Sequence, residues 1–366
     1  MKTKWTNGVI QRYAGTGIAG YSGDCEMADI AQLNGPAGLA IDKDDNVFIV
    51  EIHNSTVRKI DAKTGIISTV AGCGERGFDG DGELAIKAKL NGPEGVFVDD
   101  SGNIYISDSN NERIRKVDSH TGIINTVAGT GEAGYNGDNI KAEDSKLNHP
   151  SGVVVDKKGN IYIGDYRNDR IRKVSSDGII STFAGTGIYG YSGDNGPADK
   201  AQINDVYGLA IDVYDNIYIV DSLNFAIRKV EAKSGIISTV FGKGEPGQVE
   251  EFINVNDGYI SGEKHDKGKM GTKVPHAVEV NKDGYIFISD TDSNRIRIVD
   301  YNQNLVYTIV GNGKEGCSGD GGFALDACIG VHGLRIDSNN NLYFLDYYNH
   351  VVRVVKFTDL DENDSD

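Results

Sequence analysis

A single line of sequence recurs six times along the chain, and this constrains the fold more than any individual residue does. In its first copy Leu33-Asn34-Gly35-Pro36-Ala37-Gly38-Leu39-Ala40-Ile41-Asp42 is followed by Asn46-Val47-Phe48-Ile49-Val50-Glu51. Val57-Arg58-Lys59-Ile60 and Gly65-Ile66-Ile67-Ser68-Thr69-Val70-Ala71-Gly72 complete it. The residue closing the first segment falls at Asp42, Asp99, Asp156, Asp212, Asn281 and Asp337, in steps of 57, 57, 56, 69 and 56. An acid always stands nine positions further on, at Glu51, Asp108, Asp165, Asp221, Asp290 and Asp346.

Each copy holds four short runs rich in Val, Ile and Tyr between Gly, Asn and Asp turns, which is the pattern of strands. The 48 glycines among 366 residues, against 6 prolines, fit a chain of tight hairpins such as Ser101-Gly102-Asn103. The expected fold is therefore all-β: a six-bladed β-propeller of four-stranded antiparallel blades. The chain ends argue for a closed ring over an open solenoid. Gly8 to Gly17 matches Gly122 to Gly131, the fourth strand of a copy, while the sixth copy stops near Phe357 after three strands. The N-terminal strand is expected to complete that last blade. Blades are placed near residues 37–72, 94–129, 151–185, 207–242, 276–311 and 331–357 plus 8–15, a single domain over 1–357 with an acidic tail at 358–366.

Charge narrows the function classes. Asp plus Glu less Lys plus Arg, 54 − 37, leaves a net −17 with no basic run, so no nucleic-acid partner is expected. No apolar stretch reaches the length needed to span a bilayer, and no membrane partner is expected. Met1 to Gly8 begins with basic residues but lacks an apolar segment, so the chain as given reads as soluble, either cytoplasmic or secreted after loss of a leader. A monomer is expected. Cys25, Cys73, Cys317 and Cys328 form no C-x-x-C pair and do not fix the redox compartment.

Asp-x-x-Asn-x-x-Ile-Arg-Lys-Val, from Asp108 to Val117 and again from Asp165 to Val174, accompanies Gly-Ile-Ile-x-Thr-Val-Ala-Gly-x-Gly and Gly-Tyr-Ser-Gly-Asp. Together these resemble the NHL-repeat family over residues 8 to 357. The resemblance implies the propeller and little about activity, since related propellers include binding scaffolds, lactonases, lyases and a Pictet–Spengler synthase.

Residues present in every copy are read as structural. Each acid of the nine-offset series has an Arg seven residues on (Glu51 with Arg58 through Asp346 with Arg353), and a catalytic pair would occur once. The Gly-Tyr-Ser-Gly-Asp loops link blades, their aromatic packing down and their Gly-Asp turning the chain. Asp79-Gly80-Asp81-Gly82-Glu83 lacks full calcium-loop spacing and reads as a turn. Cys317 and Cys328 replace core anchors of one loop, as a disulfide or as two thiols.

Function is sought where equivalent positions differ. Ahead of each innermost strand stand Ala37, Glu94, Ser151, Tyr207, His276 and His332; after each second strand stand His53, Asn110, Arg167, Leu223, Asp292 and Tyr348, beside Ile52, Ser109, Tyr166, Ser222, Thr291 and Tyr347. Antiparallel topology puts both columns on one face. Glu94, His276 and His332 converging on a channel mouth can hold one divalent metal, zinc first and calcium second. The same groups without metal can act as general base and acid, with Tyr207 a candidate acid/base. Substrate contacts are expected from His53, Asn110, Ser151, Tyr166, Arg167, Asp292, Tyr347 and Tyr348. Val274-Pro275-His276 and Val331-His332-Gly333-Leu334-Arg335-Ile336-Asp337 resemble zinc-histidine stretches of the peptidyl-hydroxyglycine α-amidating lyase, whose third histidine has no match. Regucalcin-type lactonases, which bind metal through carboxylate and amide ligands, make Glu94 a candidate third ligand. Glu279 and Arg335, in a column otherwise apolar, are expected to pair. The link between blades four and five, Lys243 to Lys273, is 12 to 13 residues too long and reads as a lid or partner surface, with Lys264-His265-Asp266-Lys267 as solvated loop. The expected function is a metal-assisted lyase or hydrolase acting on a small molecule or peptide. The alternative is a scaffold binding protein, peptide or glycan on the same face.

Overall fold

The computed structural model describes residues 3–263 and 274–358. Six antiparallel sheets follow one another around a central channel, their innermost strands being Pro36–Ile41, Val96–Val98, Pro150–Val155, Val206–Ile211, Val278–Val280 and Val331–Ile336. The second strand of every blade, such as Val47–Glu51 or Ile161–Asp165, is buried along its whole length. Sheets cover both of its faces, which is why these segments are continuous apolar runs and do not alternate.

The anchor acids make the first hairpin of each blade. Asp42 Oδ1 accepts the backbone N–H groups of Asp44 and Asn46, both at 2.9 Å, and Asp45 takes a φ of +62°. This Asx turn recurs at Asp99, Asp156, Asp212 and Asp337, and Asn281 serves blade five in the same way.

Each nine-offset acid binds the fully buried Arg seven residues on, and each Arg also reaches the loop before its blade. Arg228 lies 3.2 Å from Asp221 and 2.6 Å from Asp194; Arg58 lies 3.4 Å from Glu51 and 2.8 Å from Asp24. The Asp of Gly-Tyr-Ser-Gly-Asp thus does more than turn the chain: it supplies a second, partly exposed carboxylate to the buried guanidinium. Both oxygens of Asp81 are engaged, by Arg115 at 2.8 Å and by Thr126 at 2.8 Å, and Asp79 accepts Lys89 N–H, so this loop is held by protein donors. Its aromatic packs onto the blade through arginine side chains of the third strand and is not buried in the core. Phe78 and Tyr135 remain exposed and lie beneath the guanidinium groups of Arg113 and Arg170, at 3.7 and 4.0 Å.

Two details depart from expectation. Blades two to five have a fifth strand of two residues, Glu83–Leu84, Ile140–Lys141, Gly196–Pro197 and Ile253–Asn254, which the incoming linker adds to the outer edge. The described part of the long link serves as the linker of blade five: Arg297 donates to the carbonyls of Tyr259 and Glu250 at 2.9 and 2.6 Å. Lys264, His265, Asp266 and Lys267 lie outside the described residues, as does the acidic tail from 359 onward. Cys317 and Cys328 are free thiols. Gly8–Ala14 pairs antiparallel with Val351–Phe357, Gly8 opposite Phe357, and closes the ring as the repeat implied. Among the described residues no helix is long and apolar enough to cross a membrane.

Candidate functional site

The two divergent columns do meet. Tyr207, His276, His332, Thr291, Asp292, Tyr347 and Tyr348 line one cavity of about 420 Å³ at a mouth of the central channel, joined by Asn294 and Glu315. Below it the channel narrows between the innermost strands, where Glu94 and Ser151 join Tyr207, His276 and His332.

The imidazoles of His276 and His332 touch, their centroids 4.2 Å apart and their planes inclined by 32°. Tyr207 meets both edge-on, at 4.8 and 5.7 Å, and His332 stacks on Tyr347 at 5.2 Å. His276 Nδ1 lies 3.2 Å from Thr291 Oγ1, and the carbonyls of Val274 and Ala37 lie near the His276 and His332 rings and favour their protonated forms. Burial lowers His332 to about 4, opposed by the Glu94 carboxylate and the Ala37 carbonyl. Burial, with His332 beside it, holds His276 well below the usual histidine range. Both rings are neutral at pH 7, and a neutral imidazole keeps a lone pair on one of its two nitrogens. Burial, reinforced by Glu94, pushes Tyr207 well above the usual phenol value, so it stays protonated and is a donor, not a base.

Glu94 is 4% exposed and is held from the side by a residue that the sequence reading missed. His149 Nε2 lies 3.1 Å from Glu94 Oε1, and the His149 backbone N–H donates to Glu112. Glu94 Oε2 has no hydrogen bond of good geometry, though the carboxylate lies close enough to Tyr207 to raise its pKa. The signal for His149 was two positions before the divergent column, where blades one, two and six have Gly35, Gly92 and Gly330 but blades three and four have His149 and Asp205.

The expected metal set is not assembled. Glu94 is turned toward His149, and among the described residues no three His, Cys, Asp or Glu side chains are grouped to hold a metal ion. Of the expected substrate contacts, Asp292, Tyr347 and Tyr348 line the cavity, and His53 stands behind Tyr347 at 3.3 Å. Ser151 is buried, its hydroxyl against the carbonyls of Val206 and Tyr207 at 2.9 Å, so it ties blade three to blade four. Tyr166 is buried between His149 and Tyr207, while Asn110 and Arg167 are exposed and do not line the cavity. Glu279 pairs with Arg335 at 3.3 Å beneath the histidine strands, and burial pushes its carboxyl up to about 7 against the guanidinium.

The sequence profile of the Teneurin NHL domain matches residues 73–135 and 130–192. NHL repeat-containing protein 2 of Gallus gallus is 24% identical over 352 residues, 87% of this chain and 46% of that protein. The Homo sapiens protein of that name is 32% identical over 185 residues, 47% and 25% of the two chains. Teneurin-1 of Gallus gallus is 28% identical over 287 residues, 70% and 10%. The chain thus spans less than half the length of these relatives. Among solved structures, virginiamycin B lyase from Staphylococcus aureus superposes with a TM-score of 0.54 at 14% identity, over 96% of this chain and 100% of that one. An auxiliary nutrient binding protein from Bacteroides ovatus gives 0.65 at 14% identity, over 96% and 77%. One is named for catalysis and the other for binding, so at this identity the likeness speaks for the fold alone. Repeat and ring make this chain a six-bladed β-propeller, and its repeats are similar to those of NHL-repeat proteins.

Proposed function

We propose that the cavity at the channel mouth binds a small molecule or short peptide and that the His276/His332 pair acts on it as general base, in a lyase or hydrolase reaction. The observation that carries this reading is the pair itself. Two neutral imidazoles in contact open onto a cavity of about 420 Å³. A proton taken from the ligand goes to one imidazole of the pair, and Tyr207 supplies a protonated hydroxyl beside them. In an idle pore the two rings would face solvent and stay near their usual pKa.

The test is turnover of a panel of esters, lactones and elimination substrates by wild type and by the His276→Gln/His332→Gln double variant. The reading expects activity that declines only as pH falls well below the usual imidazole range, toward 4, and none in the folded double variant. Turnover by the double variant would reject it. Stoichiometric zinc in the purified protein would replace it with metal-assisted chemistry.

A second reading has its own support. Tyr347 and Tyr348 meet at 90° beside the stacked His332, and Tyr348 is half exposed, which suits a scaffold that holds a peptide or glycan without changing it. Ligand binding unaffected by the double substitution, with no turnover, would favour that reading.

A further inference from the structure

Glu94 comes from blade two and the histidine pair from blades five and six, and the channel brings them together. Below the mouth Glu94, Tyr207, His276 and His332 line one narrow space of about 60 Å³. Glu94 is 4% exposed, and the oxygen that His149 does not engage, Oε2, has no well-formed hydrogen bond. After burial itself, this carboxylate is the largest influence on the pKa of both Tyr207 and His332.

The residue that aims Glu94 is kept away from any ligand. His149 is 6% exposed and is not among the described residues that line the cavity or the channel. Its backbone, in the left-handed conformation at a φ of +54°, is fastened through its N–H to the Glu112 carboxylate. Its ring is edge-on to Tyr166 at 5.8 Å, and Nε2 then meets Glu94 Oε1 at 3.1 Å. A side chain held at both ends in this way fixes the direction of the carboxylate it touches. Backbone strain persists where the surrounding structure imposes it, and here it serves a contact in the channel wall.

An imidazole acting as base inside a buried site becomes a cation there, and a buried cation is costly without an opposite charge. The proton leaves the ligand for an imidazole nitrogen and its electron pair stays on the ligand. The new positive charge therefore lies in the space that Glu94 shares. We propose that Glu94 is the counter-charge of this imidazolium and that His149 is a positioning residue, which keeps the carboxylate beside Tyr207 and His332. The proposal rests on reading the pair as a base, and it extends the machinery to blades two and three.

The experiment uses the whole chain without ligand and follows the His332 ring nitrogens and the Tyr207 Cζ by NMR. Glu94→Gln, which keeps the shape and removes the charge, sets the size of the response. His149→Ala is expected to move both signals in the same direction by at least about half as much, and His149→Gln, which retains a donor, to restore them. His149→Gly, free of the strained backbone, takes the place of Ala if that variant does not fold. Unmoved signals in the folded Ala or Gly variant would overturn the positioning role. Unmoved signals in Glu94→Gln would overturn both roles. On substrates found by the turnover panel, Glu94→Gln and His149→Ala should lower kcat roughly ten-fold with KM within about two-fold, since the counter-charge acts only once the proton has moved. Turnover that needs the histidine pair but is untouched by Glu94→Gln would overturn the counter-charge and leave the base standing. No turnover by wild type would remove base and counter-charge together, and the signals would still decide whether His149 holds Glu94.

Discussion

His149 holds Glu94 across the seam between blades two and three, Nε2 to Oε1 at 3.1 Å, from a backbone with φ of +54°. The equivalent residues of blades one and two are Gly35 and Gly92, at +63° and +54°. The left-handed conformation costs a side chain about 1 kcal/mol, and glycine is free of that cost. Blade three therefore accepts strain to place an imidazole beside the channel carboxylate. His149→Ala keeps the strain and loses the contact, whereas His149→Gly loses the contact and relieves the strain. Both variants are expected to be less stable than wild type, with Gly above Ala by about 1 kcal/mol in urea unfolding. The reverse order would show that the backbone there is not strained.

The mouth histidines and His149 titrate in opposite directions. Burial depresses His332 to about 4, so between that value and the usual 6.5 the unfolded chain binds a proton that the folded chain refuses. Stability from this site is present above pH 6.5 and is lost as pH falls toward 4. Relative to His332→Gln, wild type should lose roughly 3 kcal/mol between pH 7 and pH 4 in denaturant titrations. Burial also lowers His149, but its hydrogen bond and attraction to Glu94 outweigh that and raise it. Its contribution is present below pH 6.5 and fades as pH rises through the raised value. The stability gap between wild type and His149→Gln should narrow there.

The buried Arg of each blade predicts a purely structural phenotype. Arg228 is fully buried between Asp221 and Asp194, and burial has already pushed Asp221 up to about 6. Arg228→Met removes the only guanidinium near two carboxylates among the residues described there, and should cost about 3–5 kcal/mol. Thermal melts should show the loss, while the folded protein keeps its mouth cavity and any ligand affinity. A variant as stable as wild type would show that an apolar side chain fills this slot equally well.

Fold was legible in the sequence because one period was written six times, and a repeated error is improbable. The two-residue fifth strands were not, since Glu83–Leu84 has too few residues to carry a pattern and pairs only because the linker runs along the blade edge. The site was half legible. Position-by-position divergence found His276, His332, Asp292 and Tyr347, which do share a cavity, because topology alone sets the face on which those positions lie. It failed at Ser151, whose hydroxyl serves the backbone of the next blade, and at Glu94, whose direction depends on His149. Divergence shows that a position is free to vary; what a side chain touches depends on neighbours in another blade. His149 stood in a column that is glycine in blades one, two and six but Asp205 and Val274 in blades four and five, and a polar side chain where other blades use glycine was the usable signal.

The last prediction separates two tasks of the N-terminus. Trp5 is 2% exposed and packs edge-on against Tyr285, Phe287 and Phe357, in a core shared by blades five and six. Gly8–Ala14 meanwhile covers the outer edge of Val351–Phe357. Trp5→Ala leaves that pairing in place and should cost about 3–5 kcal/mol with the oligomeric state of wild type unchanged. Deleting residues 1–17 removes both, and exposes a seven-residue strand whose unpaired backbone groups invite pairing with another copy. Size-exclusion chromatography should then show aggregates or no folded protein, and a synthetic peptide of residues 1–17 added during refolding should restore the elution volume of wild type. Monomeric truncated protein with unchanged melting would show that the ring stays shut without its N-terminal strand.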